Sequence, residues 1–152
     1  MTTDDTSPQA TALRVLEEQA TCTLATASAD GVPEAATVRF VADEALNLYI
    51  TTESTYRKYR NMTANPAVAV VVDSDEGNLQ LEGTATEVHG EAASTIERRY
   101  VDKYGETEYL SNEWSVFFEI RTDWARLLVD GQYPPTYEMV IGEGDAGGLE
   151  NR

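Results

Sequence analysis

The chain holds one cysteine, Cys22, and one histidine, His89. A lone cysteine excludes an internal disulfide, and one residue of each type excludes the usual zinc sites, which need several sulfur or imidazole ligands. What stays open for a metal is a site of carboxylates alone, and no loop has calcium-ligand spacing, so no metal is expected. Long apolar runs are also missing. None approaches the roughly 20 residues that cross a bilayer, and the start (MTTDDTSP) has neither the basic nor the apolar part of a secretion signal. These absences predict a cytoplasmic protein with no membrane partner. No GxGxxG links a strand to a helix, which argues against a doubly wound dinucleotide site.

Positive charge is scarce as well. There are 27 Asp and Glu against 11 Lys and Arg, a formal net charge of −16, and Lys58 and Lys103 are the two lysines. Such a surface repels nucleic acid and anionic membranes. Apolar segments run throughout, so the acid excess is not that of a disordered tail. An acidic, lysine-poor shell on a folded core points to a protein of concentrated salt, such as a halophile's cytosol, where screening acts within about 3 Å at 1 M. A merely acidic mesophilic domain is the alternative. The excess is uneven: residues 32–72 carry four acids (Glu34, Asp43, Glu44, Glu53) and four bases (Arg39, Arg57, Lys58, Arg60), so that window is neutral. Three bases crowded into 57–60, in a chain that keeps so few, need a reason.

At 152 residues the chain is one domain, with order expected over about 8–140 and flexible tails at 1–6 and 142–152. Ser7-Pro8 caps and starts a helix that runs to about residue 19. Alternation and β-branching predict strands at 22–28, 33–42 and 45–52, with a hairpin at Ala29-Asp30-Gly31. A helix over 56–64 follows, with Ser54 or Thr55 as its N-cap, and Asn65-Pro66 ends it. The nearly all-apolar segment 67–73 reads as a strand buried on both faces or facing a partner. A long strand covers 79–88, where Gly83 signals a bulge or barrel corner. A helix spans 91–104, and 114–120 and 125–130 form the closing strand or strands. Hairpin order favours a β-rich α+β fold, a six-stranded antiparallel split barrel with peripheral helices.

The informative stretch is TTESTYRKYRNM, from Thr51 to Met62. A strand ends in hydroxyl residues and a helix begins with bases in its first turns. Helix N-termini attract anions, and a base placed there costs roughly 0.3–1 kcal/mol unless an anion compensates. Hydroxyls, amides, the arginine fork and Lys58 together suit a phosphate; a solvated basic face is the alternative.

The run Arg57-Lys58-Tyr59-Arg60-Asn61-Met62-Thr63-Ala64-Asn65-Pro66 resembles the pyridoxamine 5′-phosphate oxidase-like superfamily, as do Thr37-Val38-Arg39-Phe40 before it and the apolar strand from Val68 after it. The resemblance covers about residues 10–130. It implies a split-barrel homodimer with FMN at the dimer interface, Arg57 and Lys58 holding its phosphate, and Thr51 and Thr52 near the ribityl-phosphate. It further implies that Val38, Arg39, Phe40 and Val41 pass beside the isoalloxazine, and that Asn78 or Gln80 reaches the flavin. The deazaflavin F420 is the alternative cofactor, favoured by a halophilic archaeal source. The chain departs from the vitamin B6 oxidases: only Arg39 is basic on its strand, and no arginine–histidine pair closes the chain. The implied activity is therefore that of a short, general member, an oxidoreductase with a small-molecule redox substrate other than the vitamin. A non-catalytic FMN-binding protein (store, sensor or electron carrier) and a cofactor-free structural dimer are the rival readings. No catalytic side chain is assigned. Cys22 reads as a buried structural thiol and His89 as solvated. The segment 133–137 (YPPTY) packs across a barrel end or over the cofactor mouth.

Overall fold

Ser7 opens the first helix as expected: its Oγ accepts a bond from the Ala10 N–H at 3.1 Å, with Pro8 in the first turn. In a computed structural model that describes residues 6–106, 110, 112–129 and 133–143, this helix, α1 (Pro8–Glu18), is followed by β1 (Thr21–Ala27), β2 (Pro33–Arg39), β3 (Val41–Ala42) and β4 (Leu48–Glu53). Then come α2 (Arg57–Ala64), β5 (Ala67–Ser74), β6 (Gly77–Val88), α3 (Gly90–Tyr104), β7 (Ser115–Val129) and β8 (Thr136–Ile141). The tails expected at 1–6 and 142–152 fall outside the described residues except at Thr6, Gly142 and Glu143.

Every ladder is antiparallel, in the order β2-β1-β5-β6-β7-β4-β3, with β8 beside β7. β2 and β3 are halves of one strand interrupted at Phe40, so the two ends of this order are a single segment and the sheet curls back on itself. The split-barrel class holds, but the strands number seven rather than six. The seventh is β8, in the segment expected only to pack across the barrel end or its mouth. Two prolines precede it and mask a short β-branched and aromatic run.

The interior follows strict alternation. Leu48 and Ile50 of β4, Val68, Val70 and Val72 of β5, and Leu79, Leu81 and Ala85 of β6 all point inward. Ala12, Val15 and Leu16 of α1 join the same core. β5 is thus buried on one face only; Ala67, Val71 and Asp73 lie exposed outside, which leaves the partner-facing alternative. The closing segments at 114–120 and 125–130 are one continuous β7. Its inward residues switch from Phe118, Ile120 and Thr122 to Ala125 and Leu127. The cause is a bulge: Glu82 pairs with Trp124 and Gly83 with Thr122, so Asp123 is an extra residue.

A second, smaller cluster sits between α3 and the outside of the sheet, where Ile96 and Tyr100 meet Val41 and Phe117. From here three α3 side chains fasten the strand interruption. The Tyr100 hydroxyl accepts from Thr51 N–H at 3.1 Å and lies 3.0 Å from the Arg39 carbonyl, to which it donates. Tyr104 Oη accepts from Phe40 N–H at 3.0 Å. Lys103 Nζ donates to the carbonyls of Leu16 at 3.0 Å and Phe40 at 3.2 Å, and burial lowers this ammonium to about 8.

Candidate anion site at the start of the second helix

α2 begins with Tyr56 as N-cap, not with Ser54 or Thr55, and no side chain caps it. Its first turn holds no acid, and Arg57 and Lys58 lie within it. An uncapped helix start with two cations is electrostatically unbalanced on its own. The structure supplies the balance from outside the helix: Glu34 Oε2 lies 3.3 Å from Arg57 Nη1. Lys58 Nζ rests 4.8 Å from the centre of the Tyr56 ring. The Tyr56 hydroxyl is raised chiefly by its hydrogen bond to Glu53.

The helix is held in place by buried polar bonds. Asn61 is 5% exposed, and its Nδ2 donates to Thr26 Oγ1 of β1 at 3.0 Å. Asn65 Nδ2 donates to the Ser28 carbonyl at 3.3 Å. Tyr59 packs its ring edge-on against Phe118, centroids 5.8 Å apart, and donates to Glu87 Oε1 at 3.0 Å. Glu34, Thr26 and Asn61 carry this arrangement and are not among the residues expected from sequence. Their signal would have been register: Thr26 stands opposite Glu34 in the β1–β2 ladder, and no local motif shows that.

The expected residues divide into groups. Arg57 and Lys58 share the first turn of α2. Thr51 and Thr52 end the strand before it. Thr51 Oγ1 donates to the Val116 carbonyl at 3.0 Å. Thr52 is 6% exposed and its hydroxyl has no hydrogen-bond partner among the described residues. Phe40 and Val41 are buried, so their side chains belong to the two cores, whereas Val38 is half-buried and Arg39 exposed. The Arg39 guanidinium lies 5.0 Å from the centre of the Tyr104 ring. Asn78 and Gln80 are not gathered with the others. Gln80 lies three ladders from Thr37, through Val71 and Thr23, roughly 14 Å across the outer face of the sheet. Gln80 Oε1 accepts from Arg126 Nε at 3.2 Å and Nη2 at 2.8 Å. Arg126 in turn stacks 3.9 Å from the centre of the Tyr137 ring. Asn78 Nδ2 donates to Asp73 Oδ1 at 3.4 Å.

Beside the row from Thr37 to Gln80, toward the β1–β2 turn, a groove of about 480 Å³ is lined among others by Ala25, Ala27, Ala67, Ala69, Glu82 and Asp123. Cys22 is not part of any of this: it is 4% exposed, and burial pushes its thiol up to about 12. We expect no reaction of the native protein with Ellman's reagent at pH 8, and one thiol per chain in denaturant. A native thiol that reacts within minutes would place Cys22 at an accessible site. His89 is exposed, with Nε2 3.7 Å from Glu87 Oε2. Among the described residues no group of three or more His, Cys, Asp or Glu could hold a metal, and no helix is long and apolar enough to cross a membrane.

A curled antiparallel barrel with a basic helix start beside its β1–β2 hairpin defines a class. The family model for pyridoxamine 5′-phosphate oxidase matches residues 9–128, and the chain belongs to that family. Among solved structures it is similar to General Stress Protein 26 from Bacillus anthracis, with 20% identity, 87% of this chain and 98% of that one covered, and a TM-score of 0.67. It is also similar to HutZ, a heme storage protein of Vibrio cholerae, at 20% identity over 72% of this chain and 85% of that one, TM-score 0.64. An F420 reductase matches at 24% identity over 74% and 93% of the two chains, TM-score 0.62. At these identities the likeness is one of fold. No curated protein matches the chain.

Proposed function

We propose that the chain is a flavin- or deazaflavin-dependent oxidoreductase, binding FMN or F420 by its phosphate at Arg57 and Lys58 and acting on a small-molecule redox substrate. The observation that carries this reading is the carboxylate already seated on Arg57 at an uncapped, doubly basic helix start. A guanidinium presented to one anion in this way suits another, and phosphate matches its fork. When bound, the isoalloxazine or its deaza analogue supplies the two-electron chemistry. The chain's own part is to hold the phosphate and to shape the ring's surroundings from the strand 38–41. The polar backbone groups of Phe40 are already bonded to Tyr104 and Lys103, so that strand acts as a rigid wall.

The partner in this reading is a second copy of the chain on the outer face of β2, β1, β5 and β6. Ala35, Thr37, Thr23, Ala25, Ala69 and Val71 make the uncharged centre of that face, with Arg39, Asp73 and Glu82 as its charged members. On a chain of net charge −16, a face with so few acids is where two like copies meet with least repulsion.

The test is an absorbance spectrum of the purified protein in concentrated salt, before and after adding FMN, F420 or heme and desalting into the same salt. A retained flavin or deazaflavin band identifies the cofactor. A retained heme band with neither of the others overturns the reading, and heme is included because HutZ is a heme storage protein. Oxidation of the reduced cofactor by a substrate faster than by oxygen alone separates an enzyme from a binding protein.

A further inference from the structure

We infer that Glu34 competes within the molecule for the cofactor's phosphate: its carboxylate lies against Arg57 and opposes a phosphate arriving at the same guanidinium. This rests on the phosphate reading of Arg57 and Lys58 and adds the residue that sets the strength of that binding.

The Glu34–Arg57 contact, 3.3 Å between Oε2 and Nη1, is more than a meeting of two loose surface chains. Glu34 stands opposite Thr26 in the β1–β2 ladder. Thr26 accepts the buried bond from Asn61, and Asn61 lies four residues, one turn, beyond Arg57 on the same face of α2. The strand that carries the acid and the helix that carries the base are thus pinned together one turn from the ion pair. The exposures are unequal: the Glu34 side chain is 22% exposed and that of Arg57 70%. The acid is sheltered, while the guanidinium, with five N–H donors in all, is open to solvent. A phosphate arriving there meets a guanidinium with one Nη already engaged and a negative charge beside it. Lys58 shows the same resting pattern more loosely, lying over Tyr56, whose hydroxyl is bonded to Glu53. Each base thus has one partner within the chain, a carboxylate for Arg57 and a ring for Lys58, and a phosphate competes with both.

The experiment is a pair of fluorescence titrations, with FMN and with riboflavin, on wild type and Glu34→Gln in the same concentrated salt. Riboflavin carries the same ring and no phosphate. Glu34→Gln should lower the Kd for FMN by about two- to fivefold and leave the response to riboflavin unchanged, with an unaltered circular dichroism spectrum. Unchanged or weaker FMN binding would show that Glu34 is neutral or orients Arg57, and would overturn the inference. An equal gain for both ligands would overturn it too, because the effect would not be on the phosphate. Arg57→Ala with Lys58→Ala separates the two levels. If that variant loses FMN while Glu34→Gln gains nothing, only the role of Glu34 fails. If it binds FMN and F420 as wild type does, or if wild type and Glu34→Gln bind neither FMN nor F420, the phosphate reading fails with it.

Discussion

Replacing Arg57 and Lys58 together by alanine should weaken FMN or F420 binding at least about tenfold while leaving the fold intact. A hydrogen bond to a charged group contributes about 1.5–3 kcal/mol, and 1.4 kcal/mol is a factor of ten in Kd, so loss of even one clamp contact reaches this size. The stability side of the argument is nearly flat. The Arg57–Glu34 pair is worth about 0–1 kcal/mol as an exposed ion pair. Against that loss stand the removal of two positive charges from a helix start, where the dipole disfavours them, and the higher helix propensity of alanine. Isothermal titration with the cofactor and a thermal melt of the same sample read the two effects separately. A variant that melts normally and binds both cofactors with wild-type affinity would remove the clamp.

Gly83→Val should lower stability by about 2–4 kcal/mol, a fall in Tm of roughly 5–12 °C for a chain of this size. An added Cβ at Gly83 would press into the Arg121 carbonyl oxygen on the neighbouring strand, with the Ile120 side chain 3.1 Å away. The obstacle on one side is backbone, which cannot swing aside as a side chain would. Either β6 and β7 separate where Asp123 bulges, or the ladder shifts. Differential scanning calorimetry in concentrated salt measures the loss. A melt within 2 °C of wild type would mean that the bulge has slack, and that the approach of the two strands is not fixed by the glycine.

Much of the barrel is legible locally because a half-buried antiparallel strand writes its own period. The strands at β1, β4 and β6, the Ser7-Pro8 helix start and the Gly83 bulge all follow from residues within a few positions of one another. Reading fails where that period is interrupted by something distant. The pattern of β7 leaves one strand or two open because the bulge at Asp123 changes which residues face inward. The segment 133–137 reads as a cover because Pro134 and Pro135 lie in it, and the strand it pairs with, β7, is not its neighbour in any local pattern. The cap of α2 was misplaced for another reason. Ser54 and Thr55 have the chemistry of caps, but the chain turns into the helix only at Tyr56.

For the site, the residues alone show a charge pattern: bases concentrated at 57–60 in a chain nearly stripped of lysine, at a helix start. That follows from charge and local propensity, which need no third dimension. Which residues face one another is fixed by long-range contacts. These set Glu34 on Arg57 and fastened the helix through Thr26 and Asn61. They turned Phe40 and Val41 into the two cores and left Asn78 and Gln80 across the outer face from the second strand. The physical reason is range. Backbone propensity and helix electrostatics act over a few residues, whereas ladder register and the closing of a curled sheet join positions tens of residues apart.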